Sequence, residues 1–536
     1  MLVTVSVHEV LGRVGLPMPV AELAARRWDV VVVGGGHNGL TAAAYLARAG
    51  KSVLVLERRV QLGGACTLEE PFSDAAYVVS PCAYLVGLLH PLVIQELELA
   101  RHGFRVYTAD PHLWCPFEDG TSLALWNDSD RTRAAVAALA PGDVDGYLAY
   151  ERLFARIRDL LRSPVRDTWL GNAPGRDEIE AMLGHDEELI EVVFEASISD
   201  VIGRYVRDER LHTALHGQGT IGTYAGPRDR GTAAVHLMHA MGTLNGEGGV
   251  WGYVHGGMGR ISFADAARQA GAVLATGTPV AAIVPGEGVQ LEGGELIRAA
   301  IVVSNADPKR TLALCAGDVD AAYRARVDGW RMDSPVVKLN CGLSRPPRFL
   351  AAAADDPTPY RAMVTISRGT DATQQVCEAS RRGEPAPEWC ELYFHTAYDP
   401  SIAPPGKHTM SVFAQYAPYT LAHGDWSTRR EEIGDRVLAA VARFAPDVFD
   451  VIEHREVLGP PDIEARVGLT GGHIFQGECL PDQMWDRRFS PRTPVPGLYL
   501  CGAATHPGGS VIAANGRNAA MAVLADLAYT PSAGMA

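Results

Sequence analysis

The earliest clear pattern in the chain is a short β-branched run at residues 29–33, DVVVV, which stops at a glycine cluster and passes into a helical repeat. A run with no polar alternation predicts a strand buried on both faces, as in a parallel sheet. Residues 52–56 repeat the pattern and end on Glu57. Residues 67–102 read as a loop leading into a helix, and residues 104–127 as short strands between Asp and Gly turns. From residue 143 to about residue 215 the apolar spacing becomes helical. Tyr147, Phe154, Ile157 and Leu161, then Ile179, Met182, Leu189, Val192, Ile198, Val201 and Ile202, recur at threes and fours. That stripe reads as core, with a substrate tunnel along part of its face as the alternative.

Further along, residues 217–259 are rich in Gly, His and aromatics, and a helix is predicted over 260–270. A strand over 280–284, a polar hairpin and the run 301–303 follow, ending in Ser304-Asn305-Ala306-Asp307-Pro308. Strands that alternate with helices and return to capped turns predict an α/β, doubly wound parallel sheet that resumes here. Strands are predicted over 334–343, 389–398 and 408–415, loop over 351–387 and a helix over 429–444. The last stretch reads as strand 498–501, turn 502–510 and helix 511–527, whose N-terminal dipole would stabilise an anionic ring placed before it. Residues 1–27 read as an extension carrying a short helix over 20–27.

The chemistry enters at the first strand-helix junction. Residues 34–39 read Gly34-Gly35-Gly36-His37-Asn38-Gly39, a G-x-G-x-x-G in its proper context. Gly34 allows the tight turn, Gly36 lets the backbone approach a pyrophosphate, and Gly39 lets the helix pack on the strand. The helix start at His37 and Asn38 offers free N–H groups to phosphate. Glu57 follows at about 20 residues, where a carboxylate accepts both hydroxyls of an adenosine ribose and repels a 2′-phosphate, which excludes NADP. The fingerprint alone suits NAD and FAD equally. The doublet Gly63-Gly64, followed by Ala65, adds a second backbone approach and points to FAD. Beyond it, no further G-x-G-x-x-G follows an apolar run and opens a helix, so no separate NAD(P)H domain is expected.

Composition narrows the partners. Hydrophobic residues make up 47% and charged residues 21%, and no apolar run reaches the ~18 residues of a membrane span. A net charge of −15 argues against nucleic acid and against electrostatic docking on anionic lipid. A weak peripheral membrane contact through an apolar tunnel mouth stays open, as does the oligomeric state. Nine scattered cysteines without a C-x-x-C suit a reducing cytosol rather than a disulfide framework or a metal site, and no metal is expected. The N-terminus lacks the charged-then-apolar pattern of a secretory signal, so a cytoplasmic protein is expected.

Ordered blocks from residue 28 to about residue 527 resemble the phytoene desaturase-like FAD-dependent oxidoreductases, particularly the branch named for pyridine nucleotide-disulfide oxidoreductase domain-containing protein 2. They include WDVVVVGGGHNGLTAAAYLARAG, LGGACTLEE, GTIGTYAGPRDRGTA, WGYVHGGMG, VVSNADP, SPVVKLN, GLTGGHIFQGE and GLYLCGAATHPGGSV. The resemblance implies a Rossmann-like FAD-binding domain (28–110, 240–312 and 470–530) interleaved with an α+β substrate-binding domain (111–239 and 313–469). It assigns to the cofactor the glycine set, Glu57 with Arg58, Ala65, Val280, Asn305, and Gly502, Gly509, Ser510 and Val511. Lys338, in SPVVKLN, resembles the lysine that related flavin oxidases hold through water near flavin N5. His473 and His506 stand in blocks expected to approach the flavin and are candidate proton relays.

The activity so implied is dehydrogenation of an apolar small molecule, isoprenoid-like or a specialised metabolite, with electrons passing to dioxygen or a quinone. Gly257, Met258, Trp251, Tyr253 and Phe475 are the candidate substrate contacts. The alternatives are amine C–N oxidation, for which Trp251, Tyr253, Phe475 and Tyr416 would form an aromatic cage, and redox-neutral isomerisation. A non-enzymatic binding protein resembling the Rab GDP-dissociation inhibitors is a third alternative, against which the intact glycine and Glu57 set speaks.

Overall fold

The run at residues 29–33 forms the strand Trp28–Val33, buried along nearly its whole length. In the computed structural model, which describes residues 11–529 except 74 and 164, it stands at the centre of a seven-stranded sheet. The first ten residues of the N-terminal extension and Thr530, at the end of the last segment expected to bind FAD, lie outside the described residues.

Trp28–Val33 pairs in parallel with Val53–Glu57 on one side and Leu296–Ser304 on the other. Val273–Thr276 continues the parallel order beyond Val53–Glu57, and Leu498–Leu500 joins the C-terminal end of Leu296–Ser304. The N-terminal part of Leu296–Ser304 instead pairs antiparallel with Gly288–Leu291, which pairs with Val280–Val284. Val30 and Val32 face the helices His37–Arg48, Phe263–Gln269 and Ala514–Tyr529, whereas Val31 and Val33 pack with Leu54, Leu56, Ile283 and Val289 on the other face. Cover on both faces is why the strand carries no polar alternation. Leu23, on the helix Val20–Ala25, closes that second face.

A second seven-stranded sheet runs in the order Ile452–Leu458, Val336–Leu343, His408–Gln415, Trp389–Tyr393, Met363–Ile366, Leu113–Pro116, Ser122–Leu125. All its pairs are antiparallel except Met363–Ile366 with Leu113–Pro116. Val337, Leu339 and Cys341 pack against the helix Trp426–Ala442 through Ile433, Val437 and Val441. By the two-residue period of a strand, Val336 and Lys338 face the other way, toward the first sheet. The helical stripe between residues 143 and 215 is core: Tyr147, Phe154, Ile157, Ile179, Val192 and Ile202 are all buried in one cluster.

Five segments differ from the sequence reading. Residues 351–387, expected as loop, contain the strand Met363–Ile366 and the helix Thr370–Arg381. That helix buries Thr370, Thr373, Cys377 and Ser380 alongside Val376, so its inward stripe is small and polar rather than apolar. The helices Ser129–Leu139 and Thr232–Ala240 were not foreseen; the former starts on Asp128, whose side chain accepts from the amides of Asp130 and Arg131 at 2.9 Å each. The edge strand Val273–Thr276 also escaped the pattern. Finally, the last helix begins at Ala514 rather than residue 511, because Ser510 and Ala513 take left-handed backbone (φ 82° and 64°) that a helix cannot contain.

Candidate active site

Where the parallel strands of the first sheet end, a cavity of about 450 Å³ opens and continues to the face of the second sheet. A crevice outside the carboxyl ends of parallel strands is where such folds bind ligands. At this end the lining includes Gly34, Gly36, His37, Asn38, Glu57 and Arg58, with Gly64, Ala65, Val280 and Asn305 beside them. Ser510 and Val511 line it from the C-terminal turn.

The turn is built by close backbone approach. A Cβ on Gly39 would lie 2.2 Å from the Gly34 carbonyl oxygen, and one on Gly36 would lie 2.6 Å from Asn305 Nδ2. The helix His37–Arg48 starts on Gly36 with no side chain capping it, so its first amides are left for an anion. Gly63 packs behind this turn, its N–H donating to the Gly35 carbonyl at 2.8 Å. The Glu57 carboxylate is buried and oriented by the amides of Gly35 and Arg59, each at 2.8 Å, which leaves lone pairs for ribose hydroxyls. Asn38 Oδ1 is buried with no protein partner, and burial pushes His37 down to about 4, which keeps it neutral. A bare backbone, free helix amides and a fixed acceptor fit an adenine dinucleotide.

The far wall belongs to the second sheet. Lys338 stands directly across from Phe413, and Phe413 directly across from Glu391, so three neighbouring strands present one row to the cavity. Two strand spacings, roughly 10 Å, separate the lysine from the glutamate. Lys338 Nζ donates to Asn340 Oδ1 at 3.2 Å and to Ser411 Oγ, and lies 4.8 Å from the centre of the Tyr84 ring. Burial lowers its pKa from 10.5 to about 7. Glu391 accepts from Gln218 Nε2 at 3.1 Å and from the Tyr393 hydroxyl, and burial raises it to about 7. Around these two groups the wall is aromatic and apolar: Tyr84 and Tyr393 lie 4.5 Å apart, with Trp251, Phe475, Met363 and Ile474 completing it.

Several sequence candidates sit off this wall. His473 is fully buried behind it, its Nδ1 accepting from the Phe475 amide at 3.2 Å. His506, lowered by burial to about 4, bonds the Thr168 carbonyl through Nε2 at 2.6 Å and so ties the C-terminal turn to the helical segment. Gly502 and Gly509 pack against Gln476 and Phe475, one layer out from the lining. Gly257 and Met258 also lie outside it. The left-handed Gly257 (φ 90°) turns Met258 into the core beside the helix His37–Arg48, with its amide held by Ser80 Oγ at 2.9 Å. Tyr253 stacks on Tyr398 at 4.9 Å and Tyr416 bonds the Ala225 carbonyl, so neither joins a cage. Trp251 and Phe475 do reach the cavity. Sequence reasoning missed Tyr84, Gln218, His239, Glu391, Tyr393 and Phe413. The one available signal was a lone carboxylate inside the apolar run WCELYF.

Arg488 holds this region in place from behind. Its buried guanidinium donates to the carbonyls of Phe475 and Ala503, both at 2.7 Å and both lining residues, and to those of Glu478 and Gln483 at 2.9 and 3.2 Å. Arg488→Met would leave four carbonyls without their donor. It is expected to lower stability by about 3 kcal/mol or more, read as a drop in the denaturant midpoint.

The chain matches known families and the fold matches solved structures. The profile of the flavin containing amine oxidoreductases matches residues 118–524, and that of NAD(P)-binding Rossmann-like domains matches residues 32–86. Pyridine nucleotide-disulfide oxidoreductase domain-containing protein 2 of Mus musculus is 35% identical over 546 residues, covering 93% of this chain and 94% of its own. The lycopene-forming phytoene desaturase of Pseudescherichia vulneris is 26% identical, covering 93% and 99%. A solved structure of putrescine oxidase with putrescine bound superposes with a TM-score of 0.58 at 16% identity, covering 94% of this chain and 99% of that one. The chain belongs to the flavin-containing amine oxidoreductase family and is an FAD-dependent oxidoreductase.

Proposed function

We propose that the enzyme dehydrogenates a mainly apolar small molecule lying against the Lys338–Phe413–Glu391 row and passes the electrons to dioxygen or a quinone-type acceptor. The observation that carries this reading is the continuity of one cavity from the dinucleotide turn to an aromatic wall with only two titratable heads on its strand row. Bound FAD supplies the two-electron hydride acceptor. The glycine turn, Glu57 and the helix amides hold its nucleotide half; Trp251, Phe413 and Phe475 exclude water and position an apolar carbon skeleton. Lys338, buried and titrating near neutrality, holds or releases a proton at Nζ beside the reacting end. The cytoplasm is the proposed compartment, supported by nine unpaired cysteines.

Glu391 among aromatic rings favours one second reading, oxidation of an amine whose cation the carboxylate would meet. Anaerobic photometry of the FAD-loaded protein decides between them. An isoprenoid or lipid that bleaches the flavin supports the first reading, and bleaching by amines alone supports the second. Rapid bleaching by NADPH would overturn both.

A further inference from the structure

We propose that the Glu391 carboxylate takes up the proton released when substrate is dehydrogenated, with Gln218 and Tyr393 holding it toward the cavity. The proposal rests on the dehydrogenation reading above and names the group that this reaction needs. Forming a carbon–carbon double bond breaks two C–H bonds. One hydrogen leaves with its electron pair to FAD, and the pair of the other bond becomes the π bond while its proton goes to a carboxylate oxygen of Glu391. Atoms and electrons balance with no further reagent.

The geometry singles out this residue. Gln218 donates to Oε1 and the Tyr393 hydroxyl to Oε2, so each oxygen is oriented and keeps a lone pair. Glu391 lines the cavity and is 1% exposed, which leaves no bulk water to take the proton instead. No ion pair at Glu391 occurs among the described residues, so a structural counter-ion role does not explain its burial. Thr365 and Phe413 flank it on the neighbouring strands, and Lys338 stands one strand beyond Phe413. The other titratable groups around it are Cys390 and Tyr393 on its own strand and Tyr84 and Tyr253 from the facing loop and strand. Burial raises all four well above neutrality, so they stay uncharged.

The competing bases are worse placed. Lys338 Nζ is tied to Asn340 Oδ1 and Ser411 Oγ. His239 bonds the Val235 carbonyl at 2.9 Å and is held neutral, at about 4, by burial. His473 and His506 are off the wall. A carboxyl poised near 7 is basic enough to take a proton and acidic enough to return it before the next turnover.

The test uses Glu391→Gln and Glu391→Asp in the FAD-loaded protein. With a compound that bleaches the wild-type flavin, the bleaching rate is expected to rise as pH increases through about 7. Glu391→Gln is expected to be about 100-fold slower with that rise gone, and Glu391→Asp to recover part of the rate and a pH limb. A second readout needs no turnover. The folded carboxyl keeps its proton up to about 7 while the unfolded one loses it near 4.5, so folding stability falls between these values. The melting temperature of Glu391→Gln is therefore expected to gain on wild type as pH rises across that window and to hold the gain above it. Glu391→Gln bleached at the wild-type rate with the wild-type pH profile, or a melting difference independent of pH, refutes the proposal alone. A wild-type protein bleached by no compound refutes the dehydrogenation reading and this proposal with it.

Discussion

Gly39→Ala is expected to leave the purified protein nearly free of flavin. The added methyl carbon would sit 2.2 Å from the Gly34 carbonyl oxygen and 3.1 Å from Asn305 Cβ. The carbonyl belongs to backbone at the end of the central strand, which is hydrogen-bonded to a neighbour on each side, so it cannot swing away as a side chain can. The helix His37–Arg48 must therefore move out, carrying the amides of its first turn away from the phosphate position. Overpacking of this kind costs about 1–3 kcal/mol, which corresponds to roughly a ten- to hundred-fold loss of FAD affinity if it falls on the bound state. Titration of the apoprotein with FAD, followed by flavin fluorescence, reads that loss. Wild-type affinity in Gly39→Ala would show that the turn does not hold the cofactor.

Lys338→Met is expected to lower activity and raise stability together. Removing Nζ deletes one of the two titratable heads of the row, and the rate of flavin bleaching by substrate is expected to fall about 100-fold. The stability effect follows from the burial that brings Lys338 to about 7 from 10.5. Below about 7 the folded protein carries a buried ammonium and bears the full desolvation penalty. Between 7 and 10.5 the unfolded chain binds the extra proton, so the penalty shrinks as pH rises and is gone above that window. Methionine fills similar space without charge. The variant is thus expected to gain several kcal/mol, on the order of that penalty, below neutrality and little at high pH. Thermal melts at both ends of the range, with the bleaching rate beside them, check the pair of effects. A variant that melts earlier than wild type at low pH would show that Lys338 is a structural donor to Asn340 and Ser411 instead.

The two halves of the cavity were unequally legible in the sequence. The nucleotide end could be read because its requirements are local. A strand, a tight turn, a bare backbone and an acid at fixed spacing occupy residues 28–64, so Gly34, Gly36, Asn38, Glu57 and Gly64 could be placed from spacing alone. Asn305 came from the family resemblance rather than from spacing; it follows the strand Leu296–Ser304 of that sheet and lines the cavity. The substrate end is assembled from segments far apart in the chain. Gln218, Trp251, Lys338, Glu391 and Phe413 meet only because three antiparallel strands align in register and a turn folds over them. No periodicity within one segment records that register. Motifs also locate a backbone position without giving the depth of its side chain, which is why His473, His506 and Met258, all in glycine-rich blocks, fall outside the cavity lining. The helix Thr370–Arg381 was missed because its buried stripe is largely threonine, cysteine and serine, whose packing leaves little hydrophobic signal.

FAD content of the pure protein, measured by visible absorbance after reconstitution and removal of free cofactor, tests the central claim most directly. One FAD per chain, lost on Gly39→Ala, is the expected result. A colourless protein that takes up no added FAD would contradict it.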